Sequence, residues 1–196
     1  MKKLIIPAVL CCALMACGGA KTTFADFEKG DYKIYALRGK VSKVSYEYNH
    51  IAFNADGQVI DDESFLRIGK DGMKNRIVRD AKGNILTIDL DEEEFGSYLT
   101  YNDKGMLSEF KHTTDESEYV RTFTYNDDCE VVSEHKDYTY YYDDGMGSSS
   151  DYEYSILERD SHGNWIKAEC RSSYFEEGVL TEEPPQIITR TIEYFE

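Results

Sequence analysis

The stretch that organises this chain is Tyr101-Asn102-Asp103-Lys104-Gly105-Met106-Leu107-Ser108-Glu109. It begins with an aromatic residue, continues through a short polar turn to Gly105, and then reaches an apolar pair. Glycine adopts positive φ at little cost, so a polar step of this kind between alternating runs is typical of a tight or bulged hairpin turn. The stretch therefore predicts two antiparallel strands that meet at Gly105.

Weaker copies of this plan recur along the sequence. They lie at residues 53–60, 79–86, 125–132 and 159–166. In the copy at 125–132, Cys129 takes the place that glycine fills in the others. Either that turn has a different shape, with Asp128 carrying the positive φ, or Cys129 is held there for another reason, such as a disulfide bond. The repeat as a whole predicts hairpin after hairpin.

The segments between these turns alternate apolar and polar side chains with the period of a strand. No segment keeps a helical period for more than about two turns. We therefore predict an all-β fold: an antiparallel β-meander of successive hairpins in a single domain over 32–196, with a curled sheet or a partly closed barrel. Two finer predictions are one strand over 41–53, bulged near Asn49 and His50, and one final strand over 186–195.

The charge balance of the chain excludes one class of partner. The 196 residues include 38 acidic and 22 basic ones, which gives a formal charge of −16. A nucleic-acid partner requires clustered basic side chains, so we expect none. Aromatic residues make up 13% of the chain and proline occurs only 3 times, which is not the composition of a disordered protein.

The N-terminus predicts a bacterial lipoprotein. Lys2 and Lys3 precede an apolar run at 4–15 that is too short to span a bilayer, as in a secretory signal. Leu14-Met15-Ala16-Cys17 resembles the lipobox, in which cleavage leaves a diacylated cysteine at the new N-terminus. We predict a signal peptide over 1–16, lipidation of Cys17 as the membrane anchor, and a tether over 17–31. The expected location is the cell envelope, at the outer membrane, with its periplasmic or outer face left open.

Two cysteines remain after the signal peptide and the anchor. Cys129 and Cys170 would lie in an oxidising compartment, where they could form a disulfide bond. The alternative is two isolated thiols that pack as small apolar residues.

The repeated unit resembles degenerate YD (Rhs-type) repeats. The closing Asp160-Ser161-His162-Gly163-Asn164-Trp165 and the terminal Thr191-Ile192-Glu193-Tyr194-Phe195 are similar to small bacterial lipoproteins that carry such repeats. The resemblance covers about residues 37 to 195. It implies a β-meander scaffold with carbohydrate or protein contacts and no catalytic residues. A second resemblance, to the short MORN-like repeats of antitoxin-type lipoproteins, implies the same fold class.

Motifs for catalysis or metal binding are weak in this sequence. We find no nucleophile elbow, zinc motif or phosphate-binding loop, so we predict no catalytic residues, no cofactor and no metal site. His112 with His135 is disfavoured as a metal pair. Calcium has better candidates, either at Asp89, Asp91 and Glu93 or at Asp143, Asp144 and Asp151. The first set lacks the glycine of an EF-hand, and hydrated acidic loops are the alternative.

Tyrosines give the best functional hint. Five of them flank the loop at 143–151 and could form an aromatic platform for a ligand: Tyr138, Tyr140, Tyr142, Tyr152 and Tyr154. The alternative is that they stabilise the sheet as cross-strand pairs. An acidic loop beside the platform would select against anionic ligands.

We therefore expect a membrane-anchored envelope lipoprotein that acts as a non-enzymatic binding or structural module. Its partner would be an unknown envelope protein or a glycan. The alternative is an envelope glycan hydrolase that uses paired carboxylates.

Overall fold

The computed structural model describes residues 30–69, 75–89, 94–142 and 147–196. The signal peptide, Cys17 and most of the tether lie outside these residues. Antiparallel strands and one 3-10 helix form the regular structure, and no α-helix occurs within the described ranges. The prediction of an all-β meander of hairpins is confirmed.

A small sheet of four strands unites the two ends of the described chain. The 3-10 helix Tyr32–Ile34 leads into β1 (Val41–Ser45), β2 (His50–Phe53) and β3 (Val59–Asp62). The last strand of the chain, β14 (Thr191–Tyr194), pairs with β1, so the order is β14-β1-β2-β3.

A ten-stranded sheet contains the remaining strands in meander order. They are β4 (Ile77–Arg79), β5 (Ile85–Ile88), β6 (Gly96–Tyr101), β7 (Leu107–Thr113), β8 (Ser117–Tyr125), β9 (Val131–Tyr140), β10 (Gly147–Arg159), β11 (Trp165–Glu176), β12 (Val179–Glu182) and β13 (Gln186–Thr189). Each strand from β4 to β11 pairs with the next one along the chain, and β13 pairs with β11. Neither sheet closes into a barrel.

The five predicted turns share one geometry. In each, a side-chain oxygen accepts the backbone N–H groups two and four residues ahead, at 2.8 to 3.1 Å. This oxygen belongs to Asn54, Asp80, Asn102, Asn126 or Asp160. Asparagine and aspartate favour such turns because their short side chains reach the backbone that follows. The repeat therefore encodes the hairpin reversals directly.

Cys129 follows the same turn geometry as the glycines. Its own φ is 59°, so Asp128 does not carry the positive φ and the turn keeps its shape. The Cys129 side chain is buried against Met106, Ala36 and Tyr125. Cys129 and Cys170 are both free thiols, so the disulfide bond is not formed and Cys129 serves as a small apolar residue.

A core of aliphatic and aromatic side chains joins the two sheets. The small sheet contributes Val41, Val44, Ile51, Phe53 and Val59, and the large sheet contributes Ile85, Ile88, Leu99, Leu107 and Phe110. All of them are at most 4% exposed. Asp31 adds a polar connection, because its carboxylate accepts the Val59 N–H at 2.8 Å and pairs with Arg79 of β4 at 2.7 Å.

Two finer predictions are wrong. Residues 41–53 form two strands, because the chain reverses where Tyr46 N–H donates to the Asn49 carbonyl at 2.8 Å. The predicted bulge near Asn49 and His50 is this turn. Residues 186–195 likewise form two strands that lie in different sheets, with Arg190 between them.

Candidate functional site

The two sheets separate beside the core and leave an open cleft of about 380 Å³. Apolar and aromatic side chains form part of its walls: Ile34, Tyr35, Ile51, Phe65, Phe123, Val131, Ile156, Trp165, Ala168 and Ile188. Polar or charged groups among them come from Tyr46, Asn49, Ser64, Arg121, Glu134, Lys136, Tyr154 and Arg190. The lining thus mixes apolar and polar groups, and a concave cleft of this size that holds both can bind a small molecule.

A buried ion cluster forms one wall of the cleft. Arg121 of β8 donates from Nε to Glu134 of β9 at 2.5 Å, and Lys136 Nζ lies 3.5 Å from the same carboxylate. The Tyr154 hydroxyl of β10 donates to the other Glu134 oxygen at 3.1 Å. The Arg121 guanidinium also lies over Phe65, 4.4 Å from the ring centre. Cross-strand pairing places these side chains on one face of the sheet.

Burial changes the titration of this cluster. Desolvation lowers the pKa of Lys136, although Glu134 opposes the change. Desolvation also raises the pKa of Tyr154, and the Glu134 charge adds to the effect. The tyrosine therefore stays a neutral hydrogen-bond donor across the physiological range.

Arg190 forms the opposite wall, where the chain passes from β13 to β14. Its Nε donates to the Trp165 carbonyl at 2.7 Å, and its guanidinium lies 3.8 Å from the centre of the Trp165 ring. Its Nη1 is 3.5 Å from the Tyr46 hydroxyl. Its Nη2 is buried without a hydrogen-bond partner, and so is Oδ1 of Asn49.

The cleft has the opposite charge to the rest of the chain. Arg121, Lys136 and Arg190 face one carboxylate, Glu134, which gives the lining a formal charge of +2. The whole chain carries −16. The expectation of an acidic rim beside the tyrosine platform stays a prediction, because Asp143 and Asp144 lie outside the described residues. The side chain of Asp151 lies on the other face of β10, where it contacts His135 at 2.7 Å.

Four of the five predicted platform tyrosines share the face of the sheet that lines the cleft. Tyr138 and Tyr140 of β9 lie on the same face as Tyr152 and Tyr154 of β10. Tyr154 lines the cleft itself. Tyr142 follows the end of β9 and belongs to no strand.

We call the aromatic surface next to the cleft the tyrosine shelf, which comprises Tyr119, Tyr138, Tyr140, Tyr152 and Tyr174. The rings of Tyr138 and Tyr140 are 4.5 Å apart, and those of Tyr119 and Tyr138 are 6.2 Å apart. Lys136 connects the shelf to the cleft, because its Nζ lies 4.0 Å from the centre of the Tyr152 ring. The shelf thus continues the aromatic lining outwards.

The candidate metal pair His112 and His135 is not brought together. His112 pairs with Tyr119 on the face that lines the cleft, whereas His135 pairs with Thr122 and Asp151 on the opposite face. No group of three or more metal-binding side chains occurs among the described residues. Asp91, Glu93, Asp143 and Asp144 lie outside them.

A second hollow of about 480 Å³ lies beside two of the repeated turns. Its lining includes two carboxylates, Asp80 and Asp103, together with Lys33. Burial would raise the pKa of Asp80, but hydrogen bonds from the Asn84 backbone and side chain outweigh it and lower the pKa. Asp80 is therefore unsuited to donate a proton.

The sequence pattern did not identify the charged residues of the cleft. Arg121 lies between Tyr119 and Phe123 at the same strand parity, and Glu134 and Lys136 have the parity of Tyr138. A charge at the same strand parity as these aromatic residues was the available signal. No signal in the sequence pointed to Arg190, because the burial of this residue depends on the separation of β13 from β14.

Comparison with known proteins finds no matching family model, no matching curated protein and no matching solved structure. The resemblance to YD repeats stays a prediction. Across the part of the chain that the structure describes, no helix is long and apolar enough to cross a membrane.

Proposed function

We propose that this protein is a membrane-anchored envelope lipoprotein whose β-domain binds a ligand, without chemical conversion, in the cleft between its two sheets. The observation that carries the proposal is the cleft itself: an open space of about 380 Å³ with an aromatic lining and a buried ion cluster. A site built only for stability would fill this space with apolar side chains. The anchor at Cys17 rests on the sequence alone.

The tyrosine shelf supports a ligand that extends out of the cleft. Tyr140 is 51% exposed and Tyr174 is 40% exposed, although both belong to long central strands. Aromatic rings of this kind stack on sugar rings or on protein side chains. An envelope glycan or protein segment would thus contact the shelf and insert one group into the cleft.

The alternative, a glycan hydrolase, requires a proton donor and a second carboxylate on either side of the reacting bond. Among the described residues, Glu134 is the only carboxylate that lines the cleft, and it is engaged by Arg121, Lys136 and Tyr154. The second hollow has two carboxylates, but the low pKa of Asp80 disfavours it as the acid. These observations favour binding over hydrolysis.

A screen of envelope glycans and proteins against the purified protein tests this proposal. Tyr140→Ala and Tyr142→Ala form a matched pair, because both residues are exposed tyrosines but only Tyr140 lies on the shelf. We expect saturable binding that Tyr140→Ala weakens and Tyr142→Ala leaves unchanged. Equal effects of the two variants, or no binding to any component, would count against a shelf that presents the ligand.

A further inference from the structure

The ionic groups of the cleft do not balance, and Arg190 is the cation without a partner. Arg121 and Lys136 both lie against the Glu134 carboxylate, at 2.5 and 3.5 Å. Arg190 instead contacts a backbone carbonyl, a tyrosine hydroxyl and an aromatic ring, and no described carboxylate pairs with it. Its positive charge is therefore uncompensated at a residue that is only 5% exposed.

A buried cation without a counterion is unfavourable in an isolated protein. Such groups usually recover the cost of desolvation from an anion that forms charge-assisted hydrogen bonds. The Nη2 nitrogen of Arg190 is a buried donor that has no hydrogen-bond partner. The cleft wall at Arg190 is thus incomplete without an anionic group.

The position of Arg190 is fixed before any ligand binds. The bond from Nε to the Trp165 carbonyl and the stacking on the Trp165 ring hold the guanidinium in one orientation. Preorganised donors lose less side-chain entropy on binding, so more of their interaction energy contributes to affinity.

Asn49 is a second unmatched polar group in the lining of the same cleft. Its Oδ1 is buried without a partner. An asparagine amide can present either its oxygen or its NH₂ group after a half-turn of the side chain. Asn49 can therefore donate to an anion or accept from a neighbouring hydroxyl of the same ligand.

We propose that the cleft binds an organic carboxylate, with its –COO⁻ group on Arg190 and its apolar body against Ile34, Ile156 and Ile188. This inference rests on the proposed ligand-binding function of the cleft. A carboxylate suits the site better than a phosphate dianion, because a single charge costs less to desolvate inside the cleft than a double one. The planar fork of arginine also matches the geometry of a carboxylate.

Trp165 provides a direct readout, since it is the single tryptophan of the chain and it lines the cleft. We would titrate the purified protein with octanoate, octanamide and octylamine while following Trp165 emission. All three probes are linear eight-carbon compounds, and they differ in the charge of the head group. We expect octanoate to bind roughly tenfold more tightly than octanamide, and octylamine to bind more weakly than both.

Two arginine variants test whether Arg190 causes the preference for octanoate. Arg190→Gln should abolish the preference for octanoate over octanamide, whereas Arg171→Gln should retain it, because Arg171 is an exposed arginine outside the cleft. If Arg190→Gln does not fold, the ratio between octanoate and octanamide in the unaltered protein still decides for or against a carboxylate.

The outcomes separate this inference from the proposed function. Equal affinities for octanoate and octanamide would overturn the carboxylate assignment but leave a ligand-binding cleft. A preference for octanoate that persists in a folded Arg190→Gln variant would overturn the role of Arg190. No change in Trp165 emission with any probe would overturn the carboxylate, and the cleft function would fall only if the envelope screen also found no ligand.

Discussion

The two halves of the interface between the sheets are built from the same hairpin repeat but have opposite interiors. In the closed half, which β5, β6 and β7 form against the small sheet, the inward positions hold Ile85, Leu99 and Phe110. In the open half, equivalent positions of β8 and β9 hold Arg121, Glu134 and Lys136. Both halves share the same backbone pattern, so the side chains determine whether the two sheets pack together or separate.

The closed half contributes more to the stability of the domain than the open half does. Aliphatic side chains in the closed half contribute about 1.5–3 kcal/mol each when fully buried. A buried ion cluster contributes little net stability, because desolvation offsets most of the Coulombic attraction. This difference supports the proposal that the open half serves ligand binding.

The largest expected effect comes from breaking the closed half. Phe110→Ala removes a ring that is 2% exposed and packs edge to face on Phe65 at 5.2 Å. We expect a loss of about 3–5 kcal/mol in the free energy of unfolding. Urea denaturation would measure it, with Phe175→Ala at a 48% exposed position as the control. Equal losses in both variants would mean that the closed half is not the main core.

A single and a triple substitution in the ion cluster test how much the open half contributes to the free energy of unfolding. Glu134→Met leaves Arg121 and Lys136 without their carboxylate, so we expect a loss of about 3 kcal/mol. The triple variant Arg121→Met, Glu134→Met and Lys136→Met removes all three charges, and we expect its stability to lie within about 1 kcal/mol of the unaltered protein.

The same denaturation experiment separates the two variants. If the triple variant is less stable than the single one, the ion cluster holds the sheets together and the open half is structural. The triple variant should also weaken the dependence of ligand binding on salt, since only Arg190 would then contribute charge to the cleft.

The repeated turns are common to both halves, and Gly105 tests one of them. Its φ is 73°, a left-handed conformation that a β-branched residue adopts only at a cost. Gly105→Val should therefore reduce the free energy of unfolding by roughly 1–2 kcal/mol, whereas Gly105→Asn should reduce it less. An unchanged melting temperature for Gly105→Val would contradict the turn assignment.

The smallest expected effect is a pH dependence on the solvent face of β9. A hydrogen bond to Asp151 raises the pKa of His135, with a further contribution from Asp137. A raised pKa in the folded state means that this stability is present below the ordinary histidine pKa and is lost as the pH rises through the folded value. We expect a small decrease in melting temperature between about pH 6 and 8. His135→Gln should remove this decrease, and a decrease of the same size in that variant would assign it to other groups.

Local chemistry explains which features the sequence could predict. The turns follow from Asn102, Gly105 and their counterparts, because Asx side chains and positive φ act within five residues. The shared face of Tyr138 and Tyr140 follows from the two-residue period of a strand. Both predictions need only neighbouring residues.

The division into two sheets could not be predicted in this way. It depends on the pairing of β14 with β1, which brings Val44 to Ile192 across most of the chain. The break at Arg190 follows from that pairing, so the apolar alternation over 186–195 could not reveal it. The cleft is a consequence of the same long-range contact.

Quenching of Trp165 fluorescence tests the central claim most directly. The account predicts an open cleft of positive charge in an acidic protein, so at equal ionic strength iodide should quench Trp165 more strongly than caesium does, each measured relative to its quenching of free tryptophan. Stronger quenching by caesium, or no quenching by either ion in the folded protein, would contradict it. The first result would mean that the overall charge governs the site, and the second that the sheets are closed around Trp165.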